Sequence, residues 1–398
     1  MNPHNRLPAI RGINRNVVVT GFVSFFMDFS SEMIYPLIPL FLSSVLGVNK
    51  SVIGLIEGIA ESTASIVKVF SGWVSDRIGN RKWLMAAGYG IATLSRPIMA
   101  TAGGWPQVMT ARFVDRTGKG LRGAPRDALI ADSTEPRYLG RAFGLQKAMD
   151  TFGAVVGPLT AYLLLKVLPN DYRLIFWLSI IPGTIAVLLI VLFIRDRKTS
   201  PPEGAKRPVF TLSAFDWRYK TFMLIMTIFA IGNSSDVFLI LRAGQTGVPA
   251  GMIPLIYLCF NLVYSLSALP AGLIADRVGK KKVLLTGLVL FAVVYFGFAR
   301  ATSPGAVWTL FGIYGLFMGL SEGIQKAFLT TILPPDFKAT GYGLYHTLSG
   351  LTMFPASLIG GLLWDRISPS ATFYFGSVMA AISALLFVIY SAVLQGRR

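Results

Sequence analysis

The sequence predicts an all-α polytopic membrane protein, with about twelve transmembrane helices in two pseudo-symmetric six-helix bundles. Three observations predict it. The 398 residues are 53% hydrophobic and 14% charged, with a mean hydropathy of +0.60. A soluble chain carries roughly 25% charged residues. Apolar runs recur along the whole length, and about 20 residues suffice to cross a ~30 Å hydrocarbon core. The second half also repeats the first at an offset close to 200 residues.

In order, spans are expected near 17–46, 51–75, 83–103, 106–131, 143–165, 174–194, 219–243, 249–275, 283–302, 306–333, 341–363 and 372–394. An even number places both termini on one side. The loops and tails of that side carry most of the net charge of +18, the positive-inside asymmetry of a cytoplasmic face. The basic balance is thus explained by topology, and no nucleic-acid partner is expected. The opening "MNPHNRLPAIRGINRN" lacks the apolar core and cleavage site of a signal peptide, so none is expected. Cys259 is the single cysteine, and His4 and His346 are the only histidines. They exclude an intramolecular disulfide and supply catalytic triads and zinc sites poorly; no metal, cofactor or enzymatic activity is expected.

The polar stretch 195–218 divides the chain into bundles at 1–194 and 219–398. Four correspondences across it carry the repeat. "GWVSDRIGNRK" from Gly72 answers "GLIADRVGKKK" from Gly272. Ser30, Ser31 and Glu32 answer Ser234, Ser235 and Asp236. Arg122 and Arg126 answer Glu322 and Lys326, and "FGLQK" at 143–147 answers "YGLYH" at 342–346. In repeats of this kind the solute site lies between the halves near the midplane.

The loop after the second span holds Gly72, Asp76, Arg77, Gly79, Arg81 and Lys82, and the repeat holds Gly272, Asp276, Arg277 and Gly279. A glycine there permits close helix approach, the carboxylate can accept from a helix N-terminus, and the basic residues anchor the loop. This pattern resembles the signature of the major facilitator superfamily over essentially the whole chain. The resemblance implies that these residues latch the cytoplasmic side in the outward-open state. Asn80 stands where a basic residue is usual, with Arg81 beside it. "ARFVDRTGKG" in the fourth span is similar to the family's second motif through Arg112 and Gly118, with Asp115 and Arg116 replacing its glutamine and first glycine. In proton-driven exporters of the family that arginine is linked to proton coupling. "GAVVGPLTA" resembles the antiporter motif at Gly153, Gly157 and Pro158, with Ala161 in place of the last glycine. That motif implies an exporter, while its small residues four apart also suit ordinary tight packing, with proline bending the helix.

Unpaired charge at mid-bilayer costs at least ~2.5–3.5 kcal/mol, so such groups face a cavity or a partner. Arg112, Asp115, Arg116, Lys119, Arg122, Arg126 and Asp127 fall within roughly a 140° arc of the fourth helix at ~100° per residue. Asp28, Ser31, Glu32 and Tyr35 share a face of the first, and Pro36 is expected to bend it. The seventh span adds Asn233 and Asp236, the tenth Glu322 and Lys326. The resemblance implies that these four helices line one cavity. Asp127 is expected at its gate end, while Arg126, Asp127 and Lys147 also suit cytoplasmic helix ends. Glu57, Glu61 and Lys68 share a face of the second span and read as a gating or lateral-helix network.

"TGKG" is no phosphate loop: Phe113 stands where a Walker glycine belongs and Gly120 where its Ser or Thr belongs. The expected function is transport of a small solute by alternating access, as proton-coupled efflux. Asp28 or Glu32 would take a proton in exchange for substrate. The excess of cations favours an anionic or zwitterionic solute. An importer or facilitator of an anionic metabolite or metal chelate is the alternative, and a membrane sensor or scaffold the third reading. A functional monomer in a bacterial inner membrane, with the lipid bilayer as its surroundings, completes the expectation.

Overall fold

The computed structural model describes residues 14–78, 80–135, 138–195, 215–333 and 338–396. Among them the chain is helical and forms twelve rods. These are α1 (Arg15–Val45), α2 (Lys50–Ile78), α3 (Arg81–Ala100), α4 (Trp105–Asp132), α5 (Leu139–Val167) and α6 (Tyr172–Phe193). They continue as α7 (Trp217–Gln245), α8 (Ile253–Val278), α9 (Lys280–Arg300), α10 (Pro304–Ile332), α11 (Lys338–Arg366) and α12 (Pro369–Gly396). Nine of the helices in the described residues are long and apolar enough to cross a membrane by composition. The other three are α2, α3 and α4, which carry the buried charges Glu57, Arg96, Arg112, Asp115, Arg116 and Arg122. Lipid can be met only by apolar side chains, and Leu94, Leu192, Leu385 and Val378 stand exposed on the outer surface.

The two bundles repeat one another in their packing. α1 packs on α5 and α6, α2 on α4, and α3 on α4 and α6. α7 packs on α11 and α12, α8 on α10, and α9 on α10 and α12 in the same way. The bundles meet through α2 against α11 and α5 against α8. The central connection falls mostly outside the described residues.

Local chemistry sets several boundaries. Pro36 sits in a 3-10 turn, Tyr35–Leu37, so the bend expected there is a change of helix type inside α1. α7 is broken at Asn233, which ends its first segment, and Asp236 precedes the second. Asn80 caps α3, its Oδ1 accepting from the Trp83 amide at 3.3 Å. α5 runs unbroken through Pro158.

Three expectations need correction. Asp76, Arg77, Asp276 and Arg277 are not loop residues, because α2 and α8 continue to Ile78 and Val278. Asp276 makes no helix cap among the described residues; the residue at the N-cap of α9 is Gly279, whose φ of +102° only glycine adopts without strain. A Cβ at Gly272 would touch nothing within 4 Å, so this glycine serves no close packing here. Gly79 and the surroundings of Gly72, Asp76 and Arg77 lie outside the described residues.

Candidate functional site

The site begins with the packing that lets α4 carry so much charge. In "TGKG", Gly118 faces α3 and Gly120 faces α2. A Cβ on Gly118 would lie 2.5 Å from the Gly88 carbonyl oxygen, and one on Gly120 2.7 Å from that of Ala64. α2 and α3 therefore close around α4, and Lys119, between the glycines, is left exposed to solvent. Gly153 and Gly157 do the same for α5 against α1, where a Cβ would meet the Phe25 oxygen at 2.4 Å and the Met33 nitrogen at 2.8 Å.

A cavity of about 30 Å³ lies between α1 and α4. Asp28, Ser31, Glu32, Tyr35, Arg112, Asp115, Arg116, Lys119 and Arg122 line it, joined by Arg96 from α3. A void of about 10–15 Å³ already has room for a water, so this one has room for a small polar group.

Buried charge is tolerated only with partners, and the arginines have them. The Arg112 guanidinium donates to both Glu57 oxygens, at 2.8 and 2.5 Å. Arg96 donates to Asp115 at 2.9 Å and to Ser31 Oγ at 2.9 Å. Arg116 pairs with Glu61 at 2.9 Å. Arg112 and Arg116 also lie 3.7 and 3.8 Å from the second Asp115 oxygen. Tyr35 sits under both guanidinium groups, at 5.5 and 6.0 Å, and packs on Tyr257 of α8 at 5.3 Å. Arg122 lies over the Tyr89 ring at 4.6 Å and reaches Asp28 only at 3.8 Å.

The α4 stripe therefore does not point as a whole into the cavity. Arg112 and Asp115 are tied to α2 and α3, and Arg126 turns to Asp127 at 3.0 Å, Asp150 at 3.7 Å and Ser24 at 3.4 Å. Glu57 and Glu61 form a lateral network with α4. After these pairs are made, four groups remain. Lys119 makes no hydrogen bond or ion pair among the described residues. Arg116 Nε, Arg122 Nη1 and Glu32 Oε2 are buried without a hydrogen-bond partner.

The second bundle does not contribute as expected. Asp236 is in place on α7, but its Oδ1 accepts from Tyr314 of α10 at 2.7 Å and it is not in the cavity wall. Asn233 ends a helix segment nearby. Glu322 and Lys326 pair with each other at 3.1 Å, and Tyr264 donates to Glu322. They line a separate cavity of about 510 Å³ with Lys147, Gly272, Asp276 and Lys280, at the end of the molecule that carries the repeated glycine-Asp-Arg segment. At that same end Arg81 pairs with Asp132 at 2.6 Å; Asp127, expected at the gate, pairs instead with its neighbour Arg126. At the opposite end the Asp365 carboxylate of α11 accepts from the Lys50 and Ser51 amides of α2, at 3.2 and 2.7 Å, and holds the bundles together.

Arg96 was not foreseen. Its signal was available: a lone arginine in "TLSRPIM", 2% exposed, had to have a buried acid. Glu57 was foreseen as a network member but not as the partner of Arg112.

Comparison with known proteins bears on what this arrangement is for. The Major Facilitator Superfamily family model matches residues 20–241 and 221–395. An MFS-type transporter of Methanocaldococcus jannaschii is 36% identical over 94% of this chain and 95% of its own. A protein of Cupriavidus pinatubonensis named "Probable 4-methylmuconolactone transporter" is 28% identical over 85% of this chain and 81% of its own. A crystal structure of a POT family transporter superposes with a TM-score of 0.81 at 12% identity, covering 96% of this chain and 97% of that one; it is similar in fold.

Proposed function

The chain belongs to the major facilitator superfamily of membrane transporters, and we propose that it moves a small organic solute by alternating access, coupled to protons. It is an integral membrane protein and not an enzyme. The observation that carries the proposal is the cavity between α1 and α4, where carboxylates and cations meet inside the bilayer-spanning part of the fold. Asp28, which reaches Arg122 only at 3.8 Å, and Glu32, which keeps one oxygen without a hydrogen-bond partner among the described residues, are suited to take and release a proton as solute comes and goes.

Efflux is the proposed direction, and the antiporter-like segment at Gly153, Gly157 and Pro158 supports it. We place the basic end, with both termini, in the cytoplasm of a cell whose inner membrane holds the protein as a monomer. With that orientation the 510 Å³ cavity is the cytoplasmic vestibule and the contacts of α2 with α11 close the far side. The glycine-Asp-Arg segments, with Arg81 and Asp127, then form the cytoplasmic gate, and 1–194 and 219–398 are the moving bundles. The second reading, import or facilitated movement of an anionic metabolite, is favoured by one observation: the groups left unpaired in the cavity are mostly cationic donors.

The test is solute flux in liposomes under an imposed pH gradient, over metabolite anions, chelates and cationic drugs, with Asp28→Asn and Arg116→Ala alongside. Gradient-driven flux lost in both variants is expected. Flux indifferent to the gradient would leave a facilitator; normal gradient-dependent flux in Arg116→Ala would remove the cavity from the mechanism.

A further inference from the structure

Within the cavity and its immediate wall the charges balance. Arg96, Arg112, Arg116, Lys119 and Arg122 face Asp28, Glu32, Glu57, Glu61 and Asp115. Three arginines are held by close pairs with Glu57, Asp115 and Glu61. What is left over is not balanced in geometry. Among the described residues Lys119 makes no pair and is solvent-reached, the Arg116 and Arg122 side chains each keep a buried, unpartnered N–H, and both arginines are only 7% exposed. These three lie on successive turns of one helix and line one void. Unmade hydrogen bonds of buried charged groups are costly, so the arrangement is complete only when something accepts them. The complementary ligand is an oxyanion.

We infer that the cavity is a carboxylate site: Arg116, Lys119 and Arg122 bind the carboxylate of a small organic acid, and Glu32 holds a proton that enters with it. This rests on the transport reading above, though not on its direction. Glu32 is the proton group because one of its oxygens, Oε2, is buried without a hydrogen-bond partner among the described residues. The charged and titratable groups facing it are Lys119, Arg116 and Arg112 from α4, Tyr257 from α8 and Asp28 from α1; α5 brings glycine against it. A carboxylate bound at Lys119 brings a second anion into the void that Glu32 lines, and a proton carried by Glu32 offsets that repulsion. One anion and one proton return a set of five cations and five carboxylates to balance; a phosphate dianion does not. Co-occupancy, rather than exchange, then makes an organic acid travel in the same direction as the proton.

The experiment is calorimetric titration of the purified full chain in detergent with sodium benzoate and sodium acetate. It is run in two buffers of different ionisation enthalpy, so that affinity and proton uptake are read together. Inorganic phosphate and benzyltrimethylammonium are the other arms. Benzoate is expected to bind with uptake of about one proton, and phosphate at least about tenfold more weakly, the discrimination a single charged contact supplies. Lys119→Met should weaken benzoate by about tenfold or more, and Lys119→Arg should restore it, which guards against a folding defect. Glu32→Gln should keep benzoate binding and lose the proton uptake. Absence of binding by both carboxylates, binding unchanged in Lys119→Met, or proton release would overturn the inference. So would tighter binding of the cation. Liposome flux of another solute that is indifferent to Lys119→Met would sink this site while leaving the transporter reading intact; absence of any flux would sink that reading instead.

Discussion

The two bundles share a backbone plan and fill it with different chemistry. In the first, the helix interfaces around α4 are ionic: Glu57 and Glu61 on α2, Arg96 on α3, Arg112, Asp115 and Arg116 on α4. Positions 200 residues later are Tyr257, Asn261, Phe296, Gly312, Gly315 and Leu316. There the interfaces are aromatic. Phe291 stacks on Tyr295 at 3.9 Å and meets Phe229 and Phe317 at 4.9 Å, while Tyr314 packs on Phe260 at 5.3 Å. Aromatic pairs add about 0.5–1.5 kcal/mol beyond their burial and do not respond to protons. Ion pairs in a low dielectric give little net stability when intact, and a large penalty when one partner is lost. The comparison teaches that a duplicated fold can divide its chemistry: one half fills the shared plan with paired charge, and the other fills it with aromatic packing.

The largest effect should come from breaking the ionic half. Arg112→Ala leaves Glu57, 1% exposed, without its bidentate partner and should cost about 3–5 kcal/mol. Chemical or thermal unfolding in detergent measures it, and the double change with Glu57→Gln should recover much of the loss. A cost below about 1 kcal/mol would mean that the pair is not closed as described. The aromatic half is probed by Tyr314→Phe, which keeps the ring and removes the donor to Asp236 at 2.7 Å. A loss of about 1.5–3 kcal/mol is expected, as for a hydrogen bond to a charged group. A smaller change would show Asp236 to be neutral or otherwise satisfied. Packing comes next: Gly153→Ala places a methyl against the Phe25 carbonyl and should cost about 1–3 kcal/mol, whereas Gly272→Ala should leave unfolding unchanged. Equal effects at the two glycines would contradict the difference in their surroundings. The smallest is Asp365→Ala, which removes a cap between bundles worth about 0.5–2 kcal/mol. Because that cap ties α2 to α11, thiol labelling of cysteines introduced at the far end should rise in this variant; unchanged labelling would deny the cap a part in closing that end.

Much of the site was legible because the rules that expose it are local. Seven charges on one arc of α4, and Asp28 with Glu32 on one face of α1, follow from helical periodicity, and nine of the expected cavity residues do line one void. What failed was the extension by symmetry. Glu322 and Lys326 match Arg122 and Arg126 in the repeat, yet they pair with each other at a different cavity. A sequence match carries a residue to the equivalent position of its own bundle, but not to the same place in the molecule. Arg96 escaped because one charge in an apolar run carries no periodicity.

By itself the sequence determined the membrane class, the twelve-rod plan, the repeat and the family resemblance, because hydropathy over about 20 residues and a fixed offset need no knowledge of contacts. Only the tertiary structure decided which charge meets which. The choice of Glu57 for Arg112, Asp115 for Arg96 and, among the described residues, no partner for Lys119 depends on how far apart α2, α3 and α4 stand, and that spacing is set by glycines whose neighbours are remote in the chain. An ion pair exists within about 4 Å or hardly at all, and no pattern along one strand of sequence fixes a distance between two helices.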